Sequence, residues 1–213
     1  MLYVLDTYDR EDEHKSHIIW ETARSFVGSP EICGKLHCYM RFGAKKYTIP
    51  EGVTALNFLS FVDTEEEMFE CDATGLELPA SLTKIEDSAL LFGNFTHIRI
   101  SSGNQAFAVK KGGLYSADGK RLIYILTNPK SEVFHIAEGT EQVDAGALFW
   151  DGSIVFPNSV KKIADEGIYR NPNLRLHMMM SPPPSFQKLI VQKGSYAERF
   201  AKRMGYPYEV IKA

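Results

Sequence analysis

Leu76-Glu77-Leu78-Pro79-Ala80-Ser81-Leu82-Thr83-Lys84-Ile85-Glu86-Asp87-Ser88-Ala89-Leu90 is the stretch whose reading decides the fold. Leu76, Glu77 and Leu78 alternate apolar and polar, as a short strand with one buried face does. Pro79 then fixes φ and removes a backbone donor, so the strand stops and the chain bends. Leu82 and Ile85 follow three and six residues after the proline, and a small-large pair, Ala89-Leu90, closes the unit. The same order stands at Ile49-Pro50 with Val53, Leu56 and Ser60-Phe61. It stands again at Ile136-Ala137 with Thr140, Val143 and Ala147-Leu148, and at Phe156-Pro157 with Val160, Ile163 and Gly167-Ile168. One such unit cannot bury its own apolar face, so copies in register predict turns of a coil that stack and complete each other's core.

The unit reads as an apolar-proline start, then two apolar residues three apart, then an Ala-Phe-like pair. It resembles the repeat of the BspA-like leucine-rich-repeat family. Asn104 to Ile125, with Lys111-Gly112-Gly113-Leu114-Tyr115-Ser116-Ala117-Asp118-Gly119-Lys120-Arg121-Leu122-Ile123-Tyr124, resembles the hairpin those proteins insert between repeats. The tail, with Lys193-Gly194-Ser195-Tyr196-Ala197-Glu198, resembles their closing segment. The resemblance covers about residues 47–211. Leu90 and Ile168 stand where the family has an aromatic residue, Ala137 where it has proline, and a long acidic segment follows Phe61. It implies a β-rich α+β fold: a right-handed leucine-rich-repeat solenoid with short strands, irregular or short helical connections, an inserted β-hairpin and helical end caps. It also implies a bacterial surface or secreted protein engaged in adhesion.

The residues alone support several of these parts. Asp118-Gly119 suits a tight turn between Leu114-Tyr115 and Leu122-Ile125. Ser195 and Glu198 form a capping box, Tyr196, Ala197, Phe200 and Ala201 an apolar stripe, and Gly205 a helix stop, with a last strand over Tyr208 to Ile211. Before the repeats, Leu2 to Leu5 reads as a strand. Ile18, Ile19, Ala23 and Phe26 share one helical face with Gly28 beyond it, and Leu36, Cys38, Met40 and Phe42 alternate as a second strand. The expected organisation is a strand-helix-strand cap over residues 1–45, either an end cap or a separate small module. Repeats over 46–190 follow, with the hairpin at about 104–125, and a capping helix and strand over 191–213.

Composition narrows the class. The 213 residues are 44% apolar and 24% charged, ordinary values for a folded chain. A net charge of −3, with basic clusters no longer than pairs such as Lys45-Lys46 and Lys161-Lys162, gives no footprint for nucleic acid. No stretch approaches the roughly 18–20 apolar residues of a membrane span. The acidic residues directly after Leu5 are unlike a secretory signal, so the chain is read either as cytoplasmic or as beginning after a removed signal. Three cysteines, Cys33, Cys38 and Cys71, make no disulfide framework; Cys33 and Cys38 either pair across a turn or remain thiols.

No nucleophile elbow, zincin motif or phosphate-binding loop occurs, and neither catalytic residues, a metal nor a cofactor is assigned. Cys33, His37 and Cys38, and His14 with His17, are candidate metal donors. On a strand, however, His37 and Cys38 face opposite ways, and the two histidines suit a solvated helix start. Asp63 to Glu67 lacks the spacing of a calcium loop and reads as a solvated outer loop. Met178-Met179-Met180 and Pro182-Pro183-Pro184 read as core filler and connector, or as an adaptable contact surface.

Alternation places Thr48, Glu77, Arg99, His135, Val155 and Arg175 on the outward side of the strand ladder, the candidate ligand face. The leading expectation is a non-enzymatic interaction or adhesion module for a protein or glycan, with no nucleic acid, no membrane span and an open oligomeric state. A ligand-free structural spacer is the second expectation. An enzyme built around Asp6, His14, His17, Cys33 and His37 is the third.

Overall fold

The computed structural model describes residues 4–5, 17–21, 35–40, 46–49, 51–56, 74–87, 89–90, 95–126, 132–148, 152–164 and 188–211, the first three segments as backbone only. These residues form a β-rich repeat fold in two compact units, residues 1–107 and 108–213.

In the first unit, β1 (Val4–Leu5), β2 (His17–Glu21) and β3 (Lys35–Met40) are followed by β4 (Lys46–Thr48), β5 (Ala55–Leu56), β6 (Gly75–Leu78), β7 (Lys84–Ile85) and β8 (His97–Ile100). Each repeat contributes one strand before its anchor and one after it. The strands before the anchors stack as a parallel sheet, β4-β6-β8, and those after it join β1-β2-β3-β5-β7. The helix expected through Ile18 and Ile19 is instead the strand β2, antiparallel to β1 and β3. Ile18, Ile19 and Trp20 are β-branched or aromatic and favour a pleated surface, and two neighbouring strands are there to pair with. β3 pairs in parallel with β5, so the N-terminal strands continue a repeat sheet. The Ala23, Phe26 and Gly28 part of the expected helix, and Phe42, lie outside the described residues.

The second unit contains β9 (Phe107–Lys110), β10 (Gly113–Ser116), β11 (Arg121–Ile125), β12 (Val133–His135), β13 (Gln142–Val143), β14 (Ser153–Val155), β15 (Lys162–Ile163), β16 (Leu189–Gln192) and β17 (Tyr208–Ile211). Its sheets run β15-β13-β11-β10-β9 and β12-β14-β16-β17. The expected hairpin is a three-strand meander. β9 and β10 are joined by Lys111-Gly112, both at positive φ, the conformation that a two-residue turn matched to strand twist demands. β10 and β11 pair antiparallel, and β11 then pairs in parallel with β13. Leu114, Tyr115 and Leu122 to Ile125 are buried, and β11 fills the place of a repeat strand.

The repeat spacing has a local cause. The carbonyls of Pro79, Ala137 and Pro157 accept hydrogen bonds from the amides of Leu82, Thr140 and Val160, so each anchor opens a turn that closes three residues later. A second turn closes at the small residue: the amides of Ala89 and Ala147 donate to the carbonyls of Glu86 and Asp144. Around Ala147 this turn is a short 3-10 helix, Ala145–Leu148. Val53, Leu82, Val160, Leu56, Ile85, Val143 and Ile163 are all buried, each worth about 1.5–3 kcal/mol relative to exposure. Thr140 is also fully buried, and its hydroxyl is satisfied by donating to the Ala137 carbonyl at 2.7 Å.

Ala137, the one anchor without proline, has a specific reason. Its amide donates to the buried Tyr115 hydroxyl at 3.1 Å, a bond that proline cannot make. At the C-terminus the helix Tyr196–Met204 has the expected caps. Ser195 accepts from the Glu198 amide, the Glu198 carboxylate takes the Gly194 amide, and Gly205 ends the helix at φ 74°. Ala197, Phe200 and Ala201 pack into the core with Leu189 and Val191. β16 belongs to the ladder, so the closing segment expected from residue 191 starts within a ladder strand.

Candidate functional site: the outward strand faces

In the first unit, parallel pairing sets Thr48, Glu77 and Arg99 opposite one another, and Lys46, Gly75 and His97 likewise. Partners in a parallel register point to the same face, so the rows lie side by side on the outward side of β4-β6-β8. Glu77 sits at their crossing. Its Oε1 lies 3.1 Å from Lys46 Nζ and 3.5 Å from Arg99 NH1, and its Oε2 accepts from the Thr48 hydroxyl at 3.0 Å. The Lys46 contact, then the Thr48 hydroxyl, hold its carboxyl below the ordinary glutamate value.

Gly75 is small for a reason of space. A β-carbon there would come within 2.5 Å of His97 Nε2 and 3.1 Å of Lys46 Cγ, so both neighbouring side chains converge over the middle strand. Lys46 and His97 were not foreseen as part of this face. The signal was present: a glycine inside a strand marks a close approach.

In the second unit, His135 and Val155 are register partners, as the alternation requires. The next place in the ladder belongs to Ile190, followed by Glu209. A strand has two pairing edges, and β12 and β16 occupy both edges of β14. Arg175 itself lies outside the described residues. This row, His135-Val155-Ile190-Glu209, has an apolar centre. Glu209 pairs with Lys188, while Val133, Tyr208 and Val210 are partly exposed on the same sheet.

The other ladder of this unit carries charge. Glu141 bridges Lys120 and Lys161 at 3.5 and 3.2 Å. Arg121 holds the buried Asp144 with two nitrogens, Nε on Oδ1 at 2.8 Å and NH2 on Oδ2 at 2.5 Å, tying the meander to the following turn. Sequence reading did not find this pair, because Arg121 and Asp144 stand 23 residues apart.

Two side-chain devices stitch successive turns. Glu51 accepts from the amides of Ala80 and Ser81, and the Ser81 hydroxyl donates to the Val53 carbonyl at 2.9 Å. Ser159, at the same repeat position, donates to the Thr140 carbonyl at 2.8 Å. Asn104 closes the first unit: its Nδ2 donates to the Pro79 and Leu82 carbonyls, and its Oδ1 takes the amides of Ala106 and Phe107.

Among the described residues no cluster of three or more His, Cys, Asp or Glu side chains is placed to hold a metal, and no helix is long and apolar enough to cross a membrane. Cys33, His14, Asp6, the acidic run Asp63 to Glu67, Met178 to Met180 and Pro182 to Pro184 lie outside the described residues. His17, His37 and Cys38 are described only as backbone of β2 and β3.

No family model matches the chain, and neither does any curated protein. Three solved structures are similar to it. A leucine-rich-repeat protein from Eubacterium ventriosum shares 18% identity at a TM-score of 0.48, over 70% of this chain and 36% of that one. The pneumococcal vaccine antigen PcpA shares 15% at 0.42, over 69% and 50%. A leucine rich cell surface protein from Faecalibacterium prausnitzii shares 20% at 0.42, over 57% and 38%. The chain thus spans half or less of each of these structures. The neighbours include bacterial leucine-rich-repeat proteins.

Proposed function

We propose that this chain is a non-enzymatic interaction module of BspA-like type, a right-handed solenoid that binds a protein or glycan through its outward strand side. The observation that carries the reading is the register-locked row Thr48-Glu77-Arg99. Three polar side chains from three successive turns are held side by side on a rigid ladder and point outward. A rigid array of this kind binds without a large ordering cost, which is the physical advantage of repeat surfaces. An adhesive role at a cell surface or after secretion is part of the same proposal, supported by the family resemblance.

The test is an array of extracellular-matrix proteins and glycans probed with the purified chain. Saturable binding to at least one ligand, reduced by Arg99→Glu with folding checked by circular dichroism, is the expected result. Absence of any saturable binding at tens of micromolar would overturn the module reading and leave a structural spacer.

A further inference from the structure

The outward face of β4-β6-β8 is not evenly polar. Three basic side chains gather there, Lys46 and Arg99 on the Glu77 carboxylate and His97 beside Gly75. Glu77 cannot neutralise them all. Its Oε2 is engaged by the Thr48 hydroxyl, and its Oε1 is shared between Lys46 and Arg99. Arg99 reaches it with one terminal nitrogen at 3.5 Å and keeps 80% of its side chain exposed. A guanidinium has five donors in a planar fork, so most of its capacity points away from Glu77. Counting Lys46, Arg99 and Glu77, the face carries an excess of one positive charge.

Glu77 thereby acts as an internal competitor, a carboxylate of the same chain that already occupies part of the donor capacity of both cations. Gly75 is the second device. With no side chain on the middle strand, Lys46 and His97 close over it from the strands on either side. Preorganised cations on a rigid sheet bind an anion at lower entropic cost than mobile surface lysines. Among the described residues its outward places, Lys46, Thr48, Gly75, Glu77, His97 and Arg99, include no Trp, Tyr or Phe on which a sugar would stack.

We infer that this face binds an acidic segment of a partner protein, whose Asp or Glu carboxylates dock on Arg99 and Lys46, with His97 beside them, in competition with Glu77. The inference rests on the interaction-module reading and names the partner chemistry of the first-unit face. It predicts two effects of opposite sign. Removing a cation weakens binding. Removing the Glu77 charge frees the cations from their internal competitor and strengthens it, which a purely structural role for Glu77 does not.

The probe is a fluorescein-labelled hexaglutamate peptide, titrated with the full chain by fluorescence anisotropy at low salt. A hexalysine peptide and a polygalacturonate oligosaccharide run as parallel arms. Arg99→Gln and Lys46→Gln are expected to weaken hexaglutamate binding about fivefold each, Glu77→Gln to tighten it, and Lys162→Gln, on β15 of the second unit, to leave it unchanged. Urea midpoints within error of the original chain show that the variants fold. No hexaglutamate binding up to millimolar concentration, binding indifferent to both cation variants, weakening by Glu77→Gln, or binding of the oligosaccharide alone would each overturn the inference. If array ligands still bind a Lys46→Gln/Arg99→Gln chain, this inference falls while the module reading stands; an empty array removes the module reading itself.

Discussion

The two units share an inward pattern and differ in what they turn outward. In the first, the strands before the anchors show solvent a charged row centred on Glu77. In the second, the equivalent strands show His135, Val155, Ile190 and Glu209. Their buried sides are nearly interchangeable: Val53 and Val160, Leu56 and Val143, Ile85 and Ile163 hold the same repeat positions and are all buried. The difference teaches where the constraints act. Inward positions must satisfy packing from two neighbouring turns, whereas outward positions need only be compatible with water, so binding chemistry varies there at little cost to the fold.

The comparison breaks hardest at an inward position. Leu82→Ala in the first unit and Leu122→Ala in the second, both fully buried, are each expected to lose about 2–5 kcal/mol in urea unfolding. Substituting Arg99 or His135, both exposed, should move stability by less than about 0.5 kcal/mol. A comparable loss from the outward substitutions would refute the division.

A sharper test uses the anchor that departs from proline. Ala137→Pro removes the amide bonded to Tyr115 and is expected to cost about 1–3 kcal/mol, since the buried hydroxyl loses its partner. In a Tyr115→Phe background the same substitution should cost distinctly less. Equal costs in both backgrounds would show that the hydrogen bond is not the reason for Ala137.

Smaller still is the helix cap. Ser195→Ala removes the acceptor for the Glu198 amide and should lower stability by about 1 kcal/mol, read as a shift in urea midpoint. A shift of zero would mean that packing of Phe200 alone sets the helix.

The smallest effect is expected in acid. Glu77, held down first by Lys46, and Glu198, held down first by Lys202, both titrate below the ordinary glutamate value. A depressed folded value means that their contribution is present above the unfolded value, near pH ~4.3, and is lost as the pH falls through the folded one. Urea midpoints should therefore hold from pH 7 to about pH 5 and decline below it. Glu77→Gln should flatten part of that decline without changing its direction.

Much of this was legible in advance, and the exceptions are instructive. The anchor, the buried residues three and six places on and the small residue before the second turn are consequences of local backbone geometry. So are the Ser195-Glu198 cap and the Asp118-Gly119 turn, each confined to a few consecutive residues. β2 was misread because the spacing of Ile18, Ile19, Ala23 and Phe26 fits a helix, while the local preference of Ile-Ile-Trp and the presence of β1 and β3 decide for a strand. Of the candidate face, Thr48, Glu77 and Arg99 were found by alternation and lie in one register. Ile190 and Glu209 were not found by alternation, because the length of chain between β14 and β16 hides which strand comes next.

The sequence by itself determined the repeat: which residues turn inward, where each turn bends and how the last one is capped. These depend on side chains a few residues apart, and on hydrophobic burial that any stacked neighbour satisfies. Only the tertiary structure decided which strands lie side by side. From that followed the meeting of Lys46 and Arg99 at Glu77, the approach of His97 to Gly75, the Arg121 hold on Asp144, and the use of Ala137 to satisfy Tyr115. Those contacts join residues about 20 to 50 positions apart. Their existence depends on inter-turn register, which the lengths and pairing of the connecting segments set and no single repeat encodes.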